Sequence, residues 1–207
     1  MKIKRLPVGV IAANCYLVWC EETKDALVID PGGEGQRILE EIKKEGLNVK
    51  YVVDTHGHID HIAANTEVLE GTAAKLAIHQ EDVPLLTDPS QNLSLYMGGG
   101  EYTCQAPDLI LADGDELAVG KELLVVLHTP GHTRGSISLK GNGVIFSGDT
   151  LFEGSIGRTD FPGGSYSDII ASIKNKILPC GDDYVVYPGH GPATTVKNER
   201  LNNPFLK

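Results

Sequence analysis

The sequence predicts a layered protein of helices and strands organised around two stacked β-sheets. Three observations carry that expectation. Short apolar runs at 27–29, 51–53 and 76–78 alternate with segments of helical spacing. From Leu109 onward the chain turns strand-rich. An internal echo, YVVDTHGH from Tyr51 and YVVYPGHG from Tyr184, places a strand, a turn and a histidine in each half. One echo is too little for a repeat protein, but it suits a sandwich with pseudo-symmetric halves.

Taken in order, Lys2 to Pro7 and Asn14 to Cys20 read as adjacent strands, and Leu27 to Ile29 as a strand ending in the turn signal Asp30-Pro31-Gly32-Gly33. Gln36 to Lys44 has helical spacing, with Ile38, Leu39 and Ile42 on one face and Gly46 as a stop. Tyr51 to Val53 is a buried strand, Ile62 to Leu69 a helix closed by Gly71, and Leu76 to Ile78 another strand. Residues 88–107 lack periodicity and hold Gly98-Gly99-Gly100 between Tyr96 and Tyr102, which marks a binding loop or lid. Strands follow at 109–111, 116–119, 123–127, 137–139 and 144–146, with hairpin turns at Asp113-Gly114 and Gly141-Asn142-Gly143. Ile169 to Leu178 reads as a helix, Tyr184 to Tyr187 as a last strand, and a short helix lies near Asn198.

No linker divides the 207 residues, so residues 1–207 are expected to form one domain. The hydrophobic share of 41% suffices for a sizeable core. A formal charge of -10 argues against a nucleic-acid partner, whose phosphates call for Lys/Arg clusters. Cys15, Cys20, Cys104 and Cys180 form no CxxC pair and read as free thiols of a reducing cytosol. The basic start resembles a signal peptide, but Pro7, Gly9 and Asn14 interrupt its apolar stretch. No apolar run reaches the roughly 20 residues of a membrane span. A cytoplasmic protein without a membrane partner is the expectation.

The densest chemical signal is Thr55-His56-Gly57-His58-Ile59-Asp60-His61. The preceding strand delivers it to a strand's C-terminal end, and a helix opens at Asp60 or His61. A solvated loop has no use for three histidines so close together. Four metal-capable side chains packed this tightly are hard to wrap around one tetrahedral ion, which favours two adjacent ions. His132 in Thr129-Pro130-Gly131-His132, Asp149 in Ser147-Gly148-Asp149 and His190 in Pro188-Gly189-His190 share one context. In each, an apolar run ends, a glycine turns the backbone and a metal-capable residue appears. Separate strand ends can converge on one point in a layered fold. His79 and His128 lack that context and read as structural, with His128 bracing the turn before His132.

HGHIDH, TPGHT, SGDT and PGHG, in that order, resemble the metallo-β-lactamase superfamily, and the resemblance runs from Asn14 to Phe205. It implies an αββα sandwich and a hydrolase with two divalent metal ions, zinc first and iron or manganese as alternatives. His56, His58 and His132 would hold one ion and Asp60, His61 and His190 the other, with Asp149 bridging. Zinc β-lactamases commonly carry a cysteine where Asp149 stands, so the aspartate looks like the glyoxalase II, phosphodiesterase and RNase Z branches. The stretches LFEGSIGRTDFPGGS and PGHGPATTVKNERLNNPF are similar to short glyoxalase II-like hydrolases. That branch implies a small-molecule thioester substrate. Its carbonyl would be attacked by a metal-bridging hydroxide that Asp60 orients, since metal binding lowers the pKa of water from about 15.7 toward 7.

Full-length glyoxalase II carries a C-terminal helical domain, and a chain without that domain is the expectation here, since only 17 residues follow His190 in the sequence. Arg158 stands where that enzyme has a basic residue for the glutathione carboxylate, but Asp160 and Pro192 stand in place of its tyrosines. Arg158 is therefore either a substrate clamp or an ion-pair partner of Asp160, and Tyr96 is a candidate to cover the substrate. Two alternatives of the same fold remain. One is a persulfide dioxygenase-like oxidoreductase with one iron on His56, His132 and Asp149, to which GRTDF at 157–161 is similar. The other is a phosphodiesterase or nuclease.

Overall fold

The computed structural model describes residues 1–96 and 100–207. The first half builds a six-stranded sheet from β1 (Lys2–Val8), β2 (Ala13–Trp19), β3 (Asp25–Ile29), β4 (Asn48–Val53), β5 (Lys75–His79) and β6 (Leu109–Leu111), adjacent in that order. β1 to β3 run antiparallel, and β3 to β6 run parallel. Parallel neighbours need a crossover. α1 (Gly35–Glu45) supplies it between β3 and β4, and α2 (Ile59–Ile62) with α3 (Asn65–Thr72) between β4 and β5. α4 (Val83–Thr87) follows β5.

The second half supplies β7 (Glu116–Val119), β8 (Glu122–His128), β9 (Ile137–Lys140), β10 (Val144–Gly148), a small hairpin of β11 (Leu151–Phe152) and β12 (Ser155–Ile156), α5 (Tyr166–Ser172), β13 (Val185–Pro188), β14 (Thr194–Thr195) and α6 (Val196–Asn202). Its sheet has the order β14-β13-β10-β9-β8-β7 and is antiparallel except where β10 meets β13.

Side-chain alternation along the strands makes the layers. Tyr16, Val18, Leu27, Ile29 and Val53 face the other sheet and meet Leu124, Val126 and Phe146. Leu17, Val28, Val52 and Leu76 point the other way, onto Ile38, Ile42 and Val68 of the helices. On the far side, Ile169, Ile173 and Ile177 pack on Ile145 and Val186 of the second sheet. The result is the expected helix–sheet–sheet–helix sandwich. No helix among the described residues is long and apolar enough to cross a membrane.

Several elements differ from the expectation. The helix expected from Ile62 to Leu69 is two helices, broken at Ala63 and Ala64, so that the short α2 can carry Asp60 and His61. Gly71 does not close α3. It lies inside that helix, where a Cβ would come within 2.5 Å of Leu39 on α1, and the chain turns instead at left-handed Ala73. Gly46 does cap α1 in the left-handed conformation. The helix expected at Ile169 starts earlier, at the Ser165 cap that accepts from the Asp168 amide, and passes through a π turn at Ile173–Ile177. The β11–β12 hairpin was not expected, because two-residue strands leave no periodicity to read.

The described part of 88–107 has neither helix nor strand, as anticipated. Buried Asn92 fastens it by donating to the carbonyls of Leu85 and Tyr102 at 3.0 Å each. Gly98 and Gly99, part of the expected glycine run, lie outside the described residues. All four cysteines are free.

Candidate metal centre

The strand ends of both sheets meet at one edge of the sandwich. His56 and His58 lie on the loop after β4, and Asp60 and His61 on α2, whose N-cap is His58. His132 follows β8, Asp149 follows β10 and His190 follows β13. The structure brings all seven together as three overlapping trios: His56, His58 and His132; His56, His61 and Asp149; and Asp60, His61 and His190. Within each trio the candidate ligating atoms lie within 4.8 Å of one another.

The spacings fit ions of zinc's size. A tetrahedral shell at a metal–nitrogen distance of about 2.1 Å sets neighbouring ligand atoms about 3.4 Å apart. Asp60 Oδ2 lies 3.3 Å from His61 Nε2 and 3.1 Å from His190 Nε2. Asp149 Oδ1 lies 3.4 Å from His61 Nε2, and its Oδ2 lies 3.5 Å from His132 Nε2. His56 Nε2, His61 Nε2 and Asp149 Oδ1 are buried with no hydrogen-bond partner in the protein. Leaving one such atom unsatisfied costs about 1–3 kcal/mol. Three converging on one place form a donor set that a cation satisfies.

The outer ring nitrogens are held by the chain. His61 Nδ1 donates to Asp30 Oδ2 at 2.9 Å, and the same carboxylate accepts from the Thr55 amide and hydroxyl at 2.7 Å each. His132 Nδ1 lies 2.8 Å from the Arg158 carbonyl. A carbonyl can only accept, so this nitrogen carries the proton and Nε2 presents its lone pair to the site. His56 Nδ1 meets the Thr55 hydroxyl at 3.2 Å.

Electrostatics divide the histidines. Burial, reinforced by neighbouring His61 and His132, keeps His56 neutral, and burial beside His132 pushes His58 down to about 3. Neutral imidazole is the form that ligates. Burial also works against charge on His61, but Asp60, Asp149 and Asp30 outweigh it and raise its pKa. Asp60 is held well below the usual carboxylate range by His61 and His190 in spite of burial.

The centre forms the floor of a cleft of about 820 Å³. Ile11, Leu93, Phe152, Ile156 and Phe161 make its walls apolar, and Tyr96, 80% exposed, stands at its rim. Arg158 also lines it, but its guanidinium is engaged: Nε and Nη2 donate to the two Asp160 oxygens at 2.8 and 2.7 Å, 3.7 Å above the Phe161 ring. Of the two expectations for Arg158, the ion pair is the arrangement present.

His79 and His128 stand apart as structural residues. Their rings stack at 4.0 Å, His128 Nε2 donates to the Arg134 carbonyl at 2.9 Å, and His79 accepts from the Glu81 amide. Sequence reasoning missed two buried carboxylates that hold the site, Asp30 and Asp82. Asp30 had a visible signal, since it follows β3 as His132, Asp149 and His190 follow their strands. Asp82 had none.

Residues 8–190 match the family profile described as "Metallo-beta-lactamase superfamily". The chain is 41% identical over 208 residues to "Probable metallo-hydrolase YqgX" of Bacillus subtilis (strain 168), covering 100% of this chain and 98% of that protein. It is 37% identical over 209 residues to "Hydroxyacylglutathione hydrolase GloC" of Haemophilus influenzae, with the same coverage. Among solved structures it resembles the BLEG-1 B3 metallo-beta-lactamase (TM-score 0.95, 38% identity, 100% of both chains). It also resembles TTHA1623 in a di-iron-bound form (0.84, 33%, 98% of this chain and 100% of that one) and ETHE1 from Myxococcus xanthus (0.83, 30%, 99% and 84%). With this profile match, these relatives over its full length and the clustered His/Asp centre, the chain belongs to the metallo-beta-lactamase superfamily.

Proposed function

We propose that the protein is a metal-dependent hydrolase that holds two divalent ions and cleaves a small-molecule thioester. The observation that carries the two-ion part is the convergence of unpartnered His56 Nε2, His61 Nε2 and Asp149 Oδ1 between two further sets of candidate ligands. In this reading His56, His58 and His132 hold one ion, Asp60, His61 and His190 the other, and Asp149 serves both. Zinc, iron and manganese all accept such His/Asp ligation, and a di-iron form is known for TTHA1623. When bound, such ions polarise a carbonyl and lower the pKa of water from about 15.7 toward 7.

The chain's own residues do the rest. Asp60, kept ionised, accepts a hydrogen bond from water and orients it toward the substrate carbonyl. His56 and His58, kept neutral by burial, offer lone pairs without first losing a proton. The apolar walls at Ile11, Phe152, Ile156 and Phe161 receive the acyl or thiol arm, with Tyr96 covering it and Arg158 beside it. The GloC likeness and the glyoxalase II-like stretches at 151–165 and 188–205 support a thioester substrate.

The deciding measurement is hydrolysis of S-lactoylglutathione by protein of known metal content. A kcat/KM on the order of 10⁴ M⁻¹s⁻¹ or above would make glutathione the thiol carrier, and little or no turnover with two ions present would keep the hydrolase and remove glutathione thioesters. His58→Ala should lose the ion of the first trio, Asp149→Ala should weaken both, and each should lose nearly all turnover; unchanged activity in either sinks the two-ion hydrolase. A second reading, a one-iron oxidoreductase, is supported by the persulfide dioxygenase-like GRTDF stretch. One iron per chain with oxygen uptake would establish it instead.

A further inference from the structure

Asp82 closes the 3-10 turn Gln80–Asp82 that follows β5, and it is wholly buried. It hydrogen-bonds to none of the seven candidate ligands, yet it joins the two loops that carry the first trio. Its Oδ2 accepts from the amide of Gly57, between His56 and His58, at 3.0 Å. The same oxygen accepts from the hydroxyl of Thr133, next to His132, at 2.7 Å. Its Oδ1 accepts from the amide of Gly135 at 2.7 Å. Thr133 is fixed further by its amide, which donates to Ser136 Oγ at 3.0 Å. His58 Nδ1 and His132 Nε2, which these loops present to each other, lie 2.9 Å apart.

The second trio is built from α2 and the turn after β13, and none of Asp60, His61 and His190 hydrogen-bonds to Asp82, Gly57, Thr133 or Gly135. Asp30 is different. It holds His61 directly and His56 through Thr55, so it serves both trios.

We propose that Asp82 is a positioning residue for the first metal site alone, a carboxylate clamp that sets the separation of the His56–His58 loop from the His132 loop. An ionised carboxylate is acceptor-only and can meet three donors at once. Asparagine keeps one oxygen and turns an amide N–H toward a donor, so at least one of the three bonds is lost. Partners that orient metal ligands from behind typically govern affinity by roughly ten- to a hundredfold.

The inference rests on the two-ion reading above, and its test needs no turnover. Cobalt(II) is titrated into the full chain by absorption, and the ions retained are counted after gel filtration. Asp82→Asn should weaken one of two ions by roughly ten- to a hundredfold and leave the other at its wild-type affinity. Asp30→Asn should weaken both. In a His190→Ala background, where the first trio holds the remaining ion, Asp82→Asn should release it. In a His58→Ala background, where the second trio holds it, Asp82→Asn should change nothing. Equal effects in the two backgrounds, or none in either, overturn the proposal.

Should Asp82→Asn fail to fold, Thr133→Val removes one of the three bonds and keeps the carboxylate. It should weaken the same ion by a smaller factor, and Thr133→Ser should restore it. A Thr133→Val chain with wild-type affinity for both ions also overturns the proposal. A wild-type chain that takes up only one ion refutes the two-ion reading, and Asp82 is then judged by whether Asp82→Asn weakens that ion.

Discussion

Gly189→Ala puts one methyl group at the centre of the site. The Gly189 amide donates to the Gly148 carbonyl at 2.8 Å, and its own carbonyl accepts from the Asn14 amide at 2.7 Å, so both sides of the residue are pinned. A Cβ built there falls 2.2 Å from Asp149 Oδ1 and 2.8 Å from His61 Cε1. Against an ordinary contact of about 3.4 Å, the carboxylate must retreat by roughly 1.2 Å. Overpacking of this kind costs about 1–3 kcal/mol, which for a chain of this size is roughly 2–12 °C in Tm. The larger effect falls on the metals, because Asp149 is the residue proposed to serve both. Affinity should drop on the order of a hundredfold or more.

Metal content after gel filtration, read beside Tm, separates the two effects. Gly191→Ala is the control. At φ +75° it is strained by about 1 kcal/mol, yet its methyl meets nothing within 4 Å, so it should lower Tm slightly and keep both ions. A Gly189→Ala chain that binds two ions at wild-type affinity, or a control that loses them equally, refutes the reasoning.

Chelation should lower Tm, and restoring a metal to about 100 times its Kd should return about 2.7 kcal/mol for each site filled. A melting curve indifferent to metal would contradict a native-state site. At the surface, a hydrogen bond from Lys4 holds each of the Glu41 and Glu45 carboxyls below the usual carboxylate range. Their contribution is present above the unfolded pKa of about 4.3 and is lost as pH falls through the lower folded values. Lys4→Met should therefore melt below wild type at pH 7, and the gap should close at pH 3. A gap that stays constant with pH would show that the ion pairs are not its source.

The sequence by itself determined the kind of chemistry and where along the chain it sits. Apolar runs ending in a glycine turn and a histidine or aspartate marked His132, Asp149 and His190, and the dense HGHIDH cluster marked His56, His58, Asp60 and His61, because strand ends, tight turns and clustered ligands have local signatures. The same context rule set His79 and His128 aside, and they stack on each other away from the cleft. The tertiary structure decided what lies between these segments. Asp82 meets Thr133 and Gly135 across separations of 51 and 53 residues, and no periodicity records such a meeting. The engagement of Arg158 had two readings in sequence, since GRTD places an acid near the base but does not say which way either points. The break at Ala63–Ala64 was likewise hidden, because an apolar stripe looks the same whether one helix carries it or two. Local patterns fix which groups a chain can bring to a site; the packing of the two sheets fixes which of their atoms face one another.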